Sequence, residues 1–325
     1  MDGIAELSPR ARSLPDLVRA LVDAPPTFPE LDRGAKVVTT GVGGSAAPAR
    51  YLAWLLREAL GVDARFHHLS RFVEGAPPGD ALVVFSQYLS PNARIAIRRA
   101  GTYGRACVFT SSSAAVEGAP SSVARVTLPP PSEGGTLVRI VGPSLAMCAA
   151  AAATRAWGGR LDLSGLPEMY AAAARAPAAG LDDAILARAA RGQTPVAVVT
   201  GAADGGVARG ARWKLLEGWS ILEPAGYDVL EIAHGPFQAA RGGELLALAL
   251  ETSDAADAAL FDRLALVLTA EHKLVRLRAE GPPWRAPLEH DAATTAIMLA
   301  GLRAAPRDVS WSSSGQDAPL YGLGE

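Results

Sequence analysis

Short apolar runs alternate with longer amphipathic segments along most of the chain. Continuous apolar runs predict strands that are buried on both faces of a parallel sheet, and they lie at 37–40, 81–85, 106–109 and 196–200. A weaker strand pattern lies at 62–66, a short apolar stretch lies near Val138, and later strands are predicted at 245–250 and 273–277. Helical spacing predicts helices at 51–56, from Ser90-Pro91 onward, up to about Trp157, twice within 167–190, and at 213–216, 255–267 and 292–302.

The order of these elements predicts an α/β fold with parallel sheets between layers of helices. Lys36 to Gly44 and Pro195 to Gly206 have the same strand-and-glycine pattern about half a chain apart, which indicates an internal duplication into two three-layer αβα halves. The predicted organisation is an N-terminal helical segment at 1–30, a first domain at 31–160, a helical connection at 161–190, a second domain at 191–304 and a tail at 305–325.

Composition narrows the possible classes of protein. The chain has 325 residues, of which 49% are hydrophobic and 20% charged, so it can bury substantial cores. A net charge of −2 without a basic block argues against nucleic-acid binding. The two cysteines, Cys107 and Cys148, are expected as buried reduced thiols. The longest apolar run, 145–153, is too short for a bilayer and the N-terminus lacks signal-peptide features, so we expect a soluble cytoplasmic protein.

The first candidate site is the glycine-rich turn after the first predicted strand. Gly43, Gly44 and Ser45 precede a helix whose free N–H groups could face an anion. The turn has neither dinucleotide-binding spacing nor a phosphate-loop lysine, so a purely structural turn stays open as the alternative.

The second candidate site follows the buried strand at 81–85. Ser86, Gln87, Ser90 and Asn92 lie where ligands bind in open parallel sheets, beyond the carboxyl end of a strand. The alternative is a capped helix only, with Ser90 as its N-cap and proline at its first position. Ser144 begins another predicted helix and could add a hydroxyl group.

The third candidate combines Lys214, Glu217 and the segment Glu231 to Pro236 around His234. Lys214 and Glu217 share one helix face, and a carboxylate with a histidine on a Gly-Pro turn is a plausible acid–base pair. Taken alone, these residues are better explained as a surface salt bridge and a turn histidine. His290 and Asp291 are expected at the start of the last helix, and the histidines show no metal-ligand spacing, so no metal is predicted.

Together these features resemble the double SIS (sugar isomerase) domain family over roughly residues 36–302. The most specific part is Lys214-x-x-Glu217 followed by Glu231-x-x-His234-Gly-Pro. The resemblance implies that Glu217 moves a proton between C1 and C2 of a sugar. It also implies that His234, often contributed by a neighbouring subunit in this family, assists ring opening or leaving-group protonation, and that Lys214 orients substrate or carboxylate.

The sequence departs from the family's phosphate-binding pattern of Ser-Gln-Ser-Gly-Glu/Asp-Thr. Tyr88 and Leu89 replace the serine and glycine, and Pro91 replaces the threonine, so two hydroxyl groups and one amide donor are lost. Each missing hydrogen bond to a charged group could cost about 1.5–3 kcal/mol of binding. Part of this loss could be compensated by Ser45, Ser90, Asn92 and Ser144. The departure nevertheless favours a modified or non-phosphorylated substrate.

The function expected from this resemblance is an aldose–ketose isomerase or deglycase acting on a sugar or amino-sugar derivative as a homodimer. The ammonia-transferring member of this family has a glutaminase domain that starts with cysteine, and the family has a lysine near its C-terminus. This chain begins Met1-Asp2-Gly3 and has no lysine after Lys273, so glutaminase activity is not expected. The chemistry relocates protons, so we expect no cofactor. The alternative from another class is a non-catalytic module that binds a carbohydrate derivative in order to sense or regulate; no DNA-binding segment and no membrane contact are expected.

Overall fold

The computed structural model describes residues 2–130, 133–175, 181–201, 206–311 and 318–324. The chain forms two compact units. The first unit consists of Ser13–Gly135, Val141–Pro167 and Trp311–Glu325. The second unit consists of Met1–Arg12, Thr136–Ile140 and Glu168–Ser310. The predicted domain limits stay a prediction.

The first unit is built on a parallel five-stranded sheet. Its strands are β1 (Val37–Thr40), β2 (Ala64–Phe66), β3 (Ala81–Phe85), β4 (Arg105–Thr110) and β5 (Val123–Thr127). They pair in the order β2-β1-β3-β4-β5, with every neighbouring pair parallel. All residues of β1 and β3 are buried, as their continuous apolar runs predict for strands covered on both faces.

The second unit repeats this arrangement with a parallel four-stranded sheet. Its strands are β6 (Val196–Thr200), β7 (Ala225–Asp228), β8 (Leu245–Glu251) and β9 (His272–Arg278). Their order β7-β6-β8-β9 matches that of the first four strands of the other sheet. In both sheets the chain reverses its direction of winding between the first and third strands, which is where doubly wound sheets bind ligands. The predicted α/β fold of two parallel-sheet halves is confirmed.

Helices connect the strands and cover the sheets. They are α1 (Gly3–Asp23), α2 (Ala46–Leu60), α3 (Arg71–Glu74), α4 (Pro91–Arg98), α5 (Val141–Ala156), α6 (Leu166–Arg175), α7 (Asp183–Ala190), α8 (Val207–Trp219), α9 (Pro236–Ala240), α10 (Ala255–Val267), α11 (Ala286–Ala304) and α12 (Ala318–Tyr321). In α5, residues 141–154 are all buried, because alanine and other small side chains let this helix pack closely against its surroundings.

Three features of the fold differ from the pattern in the sequence. The strands β5 and β7 were not predicted, since β5 has one buried residue and β7 contains glycine and none that is fully buried. His290 and Asp291 were expected at a helix start, but they lie inside α11, where they are 2% and 3% exposed. The apolar stretch near Val138 forms no strand of either sheet.

None of the helices that the described residues form is both long enough and apolar enough to span a membrane.

Candidate functional site

The turn after β1 is shaped by two glycines at its start. A side chain at Gly41 would lie 2.3 Å from the carbonyl oxygen of Ser45, so only glycine allows this close approach. Gly43 has a φ of 57°, a conformation that other residues adopt only at a cost. Gly43–Ser45 form one 3₁₀ turn that leads into α2, and Gly44 lies against Pro143 at the start of α5.

The loop after β3 satisfies its polar groups internally. The Ser86 hydroxyl oxygen accepts the backbone N–H of Ser90 at 3.0 Å, and α4 starts at Pro91 as the sequence predicts. Leu89, only 2% exposed, has a φ of 54°, an uncommon backbone conformation for a non-glycine residue. The residue therefore combines local backbone strain with a buried apolar side chain at a position that belongs to the phosphate-binding pattern of the family.

A buried carboxylate that the sequence analysis missed completes this region. Glu133 is 0% exposed, and its two oxygens accept the backbone N–H groups of Val141 at 2.7 Å and Gly142 at 2.8 Å. Its Oε2 also accepts Nε2 of Gln87 at 3.0 Å. The first N–H groups of a helix attract anions, and here the protein's own carboxylate takes them.

A small cavity lies between these elements in the first unit. Its volume is about 10 Å³, roughly the space of one water molecule. It is lined by Ser45, Phe85, Ser86, Gln87, Phe109, Leu128, Gly142, Pro143 and Ala146. Of the predicted binding residues, Ser45, Ser86 and Gln87 line this cavity together.

The other predicted binding residues of the first unit do not line this cavity; they are Gly43, Gly44, Ser90, Asn92 and Ser144. Asn92 lies in the first turn of α4, and its buried Oδ1 has no hydrogen-bond partner within the described part of the chain. Ser144 lies in the first turn of α5 and is fully buried. Asn92 and Ser144 are close in sequence to residues that line the cavity, but their own side chains do not line it.

In the second unit, Lys214 is a buried structural residue in this conformation, which differs from its expected role beside a substrate. Its Nζ lies 2.6 Å from Oδ1 of Asp291 and 2.8 Å from Oγ1 of Thr295, both on α11. The side chains of Lys214 and Asp291 are each 4% exposed. The ammonium group orients a carboxylate of its own chain and joins α8 to α11.

Glu217 lies three residues further along α8 in a different environment. It is half-buried, and its Oε1 accepts the indole Nε1–H of Trp213 at 2.6 Å. Trp213 precedes it by one helical turn, so the two side chains lie on the same face of α8. The predicted base is therefore a carboxylate with a fixed hydrogen-bond donor, and nothing in the sequence motif identified this donor.

His234 is exposed on a well-defined turn between β7 and α9. Gly235 has a φ of 122°, and the Gln238 amide bridges the turn: its Oε1 accepts Gly235 N–H at 2.7 Å and its Nε2 donates to Ala233 O at 2.8 Å. Within residues 206–311, the imidazole makes no hydrogen bond or ion pair, including with Glu217. The turn presents the imidazole to its surroundings.

The corresponding edge of the second sheet carries a buried carboxylate, that of Asp257. Asp257 on α10 accepts the backbone N–H and the hydroxyl of Thr252 at 2.8 and 2.9 Å, and its carboxylate packs against Gly201. Residues 202–205, which include most of the second predicted glycine-rich turn, lie outside the described residues.

Two observations bear on metal and thiol chemistry. Across the described ranges, no group of three or more histidine, cysteine, aspartate or glutamate side chains could hold a metal ion. Cys107 and Cys148 are both buried, as predicted, and neither forms a disulfide bond. Burial raises the pKa of the Cys107 thiol to about 12, so this thiol stays protonated near neutral pH.

His290 is expected to make stability depend on pH. Burial lowers the pKa of its imidazole in the folded state, and its Nε2 lies 2.9 Å from the carbonyl oxygen of Glu251. The unfolded chain, with a histidine pKa of about 6.5, therefore binds a proton that the folded chain does not. Stability is complete above pH 6.5 and falls below it, by up to about 1.4 kcal/mol per pH unit, until the lower folded-state pKa is reached.

Urea unfolding of the His290→Gln variant at several values between pH 7.5 and 5 should show a shallower loss of stability than the unmodified protein. His234→Gln, which replaces an exposed histidine, is the matched control and should keep the original slope. Equal slopes for the His290→Gln variant and the unmodified protein would contradict the prediction.

The fold and these sites define the chain as a doubly wound α/β protein. Its first unit has a small, mostly apolar cavity at the strand ends, and its second unit has a carboxylate that is hydrogen-bonded to an indole. No protein-family model matches the sequence, and no curated protein matches it. Several solved structures share the fold. The C-terminal domain of glucosamine-fructose-6-phosphate aminotransferase from Francisella tularensis matches with a TM-score of 0.68 at 12% identity, covering 93% of this chain and 97% of that one.

Two other enzymes match over similar lengths. Glucosamine-6-phosphate deaminase from Thermotoga maritima has a TM-score of 0.66 at 15% identity, with 93% of each chain covered. Tagatose-6-phosphate ketose/aldose isomerase from Escherichia coli has a TM-score of 0.65 at 15% identity, with 91% of this chain and 92% of that chain covered. At these identities the likeness shows the fold alone, and this is the fold that the family resemblance implies.

Proposed function

We propose that the protein is an enzyme that moves protons on a sugar or amino-sugar derivative, as an isomerase or a deglycase. Glu217 is the general base and His234 the general acid. The observation that carries this proposal is the half-buried Glu217 carboxylate, held by the Trp213 indole on α8. A fixed, partly desolvated carboxylate suits the removal of a proton from carbon next to a carbonyl group, and the same group can return the proton to the neighbouring carbon.

The placement of His234 supports a homodimeric form of this enzyme. Its imidazole is exposed on a turn that Gly235 and Gln238 hold in place. An exposed histidine on a defined turn can donate a proton to a ligand that a second copy of the chain holds. This assembly is part of the proposal.

The cleft in the first unit supports a substrate without a phosphate group at that position. The Ser86 hydroxyl and the Gln87 amide are both bonded within the protein, and no lysine or arginine is among the residues that line the cavity. The nearby helix N-terminus already holds the Glu133 carboxylate, whose charge would repel a phosphate. The cavity of about 10 Å³ has room for a group about the size of one water molecule.

Solvent exchange tests the catalytic proposal whichever product forms. The protein is incubated in D₂O with a panel of hexose phosphates, free amino sugars and amino-acid adducts of fructose, with and without phosphate. Proton NMR then follows the loss of the hydrogen signals at C1 and C2. We expect exchange with at least one non-phosphorylated member, and a loss of about 100-fold or more in the Glu217→Gln variant.

Glu58→Gln is the matched control, because Glu58 is an exposed glutamate on α2 in the first unit. This variant should exchange at the original rate. Full exchange by the Glu217→Gln variant on the same substrate would end the proposal that Glu217 is the base.

A non-catalytic sugar-binding module is the second candidate function. It is favoured by the internal satisfaction of the predicted binding groups: Lys214 pairs with Asp291, Ser86 with Ser90 and Gln87 with Glu133. Saturable binding of a sugar derivative that shows no hydrogen exchange, measured by calorimetry and NMR on the same sample, would support this second function.

A further inference from the structure

One face of α8 carries a stack of three interacting side chains. Arg209, Trp213 and Glu217 follow each other at intervals of four residues, which places them in one row along the helix. The Arg209 guanidinium lies 4.8 Å from the centre of the Trp213 ring. The Trp213 Nε1 in turn lies 2.6 Å from Oε1 of Glu217.

A residue beyond the helix holds the other end of this row. Nη1 of Arg209 lies 2.9 Å from Oε1 of Glu223, and Nη2 of Arg212 lies 3.1 Å from the same oxygen. Glu223 therefore fixes the guanidinium that lies over the indole ring. With its ring face covered by Arg209 and its N–H directed to Glu217, the indole has little freedom to turn.

The indole bond has a defined effect on the carboxylate. Indole nitrogen is only a donor, so the bond favours the ionised form of Glu217 and fixes the plane of its carboxylate. This in turn fixes the direction from which the carboxylate accepts a proton. Lys214 does not orient the Glu217 carboxylate here, because its ammonium group pairs with Asp291 on α11.

We propose that Trp213 is the positioning residue of Glu217, holding the carboxylate ionised and oriented for proton abstraction. The inference rests on the proposed role of Glu217 as the base. It goes beyond that role because the Lys-x-x-Glu and His-Gly-Pro motifs do not include Trp213. Charged groups next to the pair include Arg209, which lies over the Trp213 ring, and Glu223, which pairs with Arg209.

The Trp213→Phe variant tests this proposal, because it keeps an aromatic ring and removes the N–H donor. Carbon-13 labelling of glutamate side-chain carboxyl groups allows NMR titration, and Glu217→Gln identifies the Glu217 resonance by its loss. Without the donor, the midpoint of the Glu217 titration should move to higher pH by about one unit. On the substrate found by solvent exchange, kcat should fall about tenfold with KM changed less than twofold, and the acidic limb of the kcat profile should move by the same amount.

Trp157→Phe is the matched control, since it also removes an indole hydrogen bond, from Trp157 Nε1 to Pro29 O at 2.8 Å, in the first unit. It should leave the Glu217 titration and the acidic limb unchanged. Trp213→His, whose ring can still donate a hydrogen, should restore part of the shift. Trp213→Leu, which also lacks a donor, replaces Trp213→Phe as the test variant if that variant does not fold.

An unchanged Glu217 midpoint in the folded Trp213 variant would overturn the inference. A loss of activity that also occurs in the Trp157→Phe control would overturn the inference as well. Failure of the proposed function is recognised separately, because it requires full solvent exchange by the Glu217→Gln variant. A shifted midpoint together with a lower kcat and an unchanged KM supports the positioning role.

Discussion

Replacing Lys214 with methionine should lower the free energy of unfolding by about 3–5 kcal/mol, because it leaves the Asp291 carboxylate buried without its cation. Both side chains are 4% exposed, and Nζ lies 2.6 Å from the carboxylate. Lys214 also donates to Thr295, so the substitution removes a hydrogen bond from that hydroxyl as well. Urea unfolding followed by circular dichroism measures the loss.

The double variant Lys214→Met, Asp291→Leu separates pairing from packing. Removing both charges should recover most of the lost stability, since the remaining groups are apolar and of similar volume. Arg19→Ala is the surface control, because Arg19 and Asp16 form an ion pair with side chains that are 46% and 83% exposed; its loss should cost no more than about 1 kcal/mol. A Lys214→Met variant whose loss stays within that of the surface control would show that this ammonium does not stabilise the fold.

Lys214 also shows that a local motif can indicate which helix carries a residue without indicating which groups that residue contacts. The Lys-x-x-Glu spacing correctly identified one helix that carries both residues. It could not show that the lysine's partner is Asp291, which lies 77 positions along the chain, or that Glu217 pairs with Trp213. Residues three apart on a helix differ in direction by about 60°, enough for one to be buried and the other to lie at the edge. Tertiary packing determines which of the two residues is buried.

The strands show the same division between local and tertiary information. Strands in the middle of a parallel sheet, such as β3 and β8, are buried on both faces, so their sequences are nearly continuous runs of apolar residues. The edge strand β5 is buried at one residue, and the edge strand β7 at none, so their pairing is determined by neighbours and leaves little pattern in the sequence. The alternation of strands and helices still predicts that the sheets are parallel.

Glu133 is the clearest case of a site residue without a sequence signal. It lies in an irregular segment before α5, eight residues ahead of Val141, so no helix-capping motif at standard spacing contains it. Its role exists only because the chain folds back and places the carboxylate on the N-terminus of α5 and beside Gln87.

Glu133→Ala should lower the free energy of unfolding by about 3 kcal/mol. The substitution leaves the N–H groups of Val141 and Gly142 without an acceptor in a buried position, at about 1–3 kcal/mol for each unsatisfied group, with partial recovery if water enters. Glu133→Gln keeps a single amide oxygen as acceptor and should lose about half as much. Urea unfolding of the three proteins gives the comparison, with Asp182→Ala, an exposed helix cap on α7, as the control at about 1 kcal/mol.

The same variant tests why the first unit is proposed to exclude phosphate. Without the Glu133 carboxylate, the N-terminus of α5 regains free N–H groups and loses a negative charge, so an anion can bind there. Inorganic phosphate should then raise the melting temperature of Glu133→Ala more than that of Asp182→Ala or the unmodified protein, at equal ionic strength. Equal responses of all three would mean that Glu133 does not determine anion binding at this helix, and the case for a non-phosphorylated substrate would then depend on the Ser86–Ser90 loop alone.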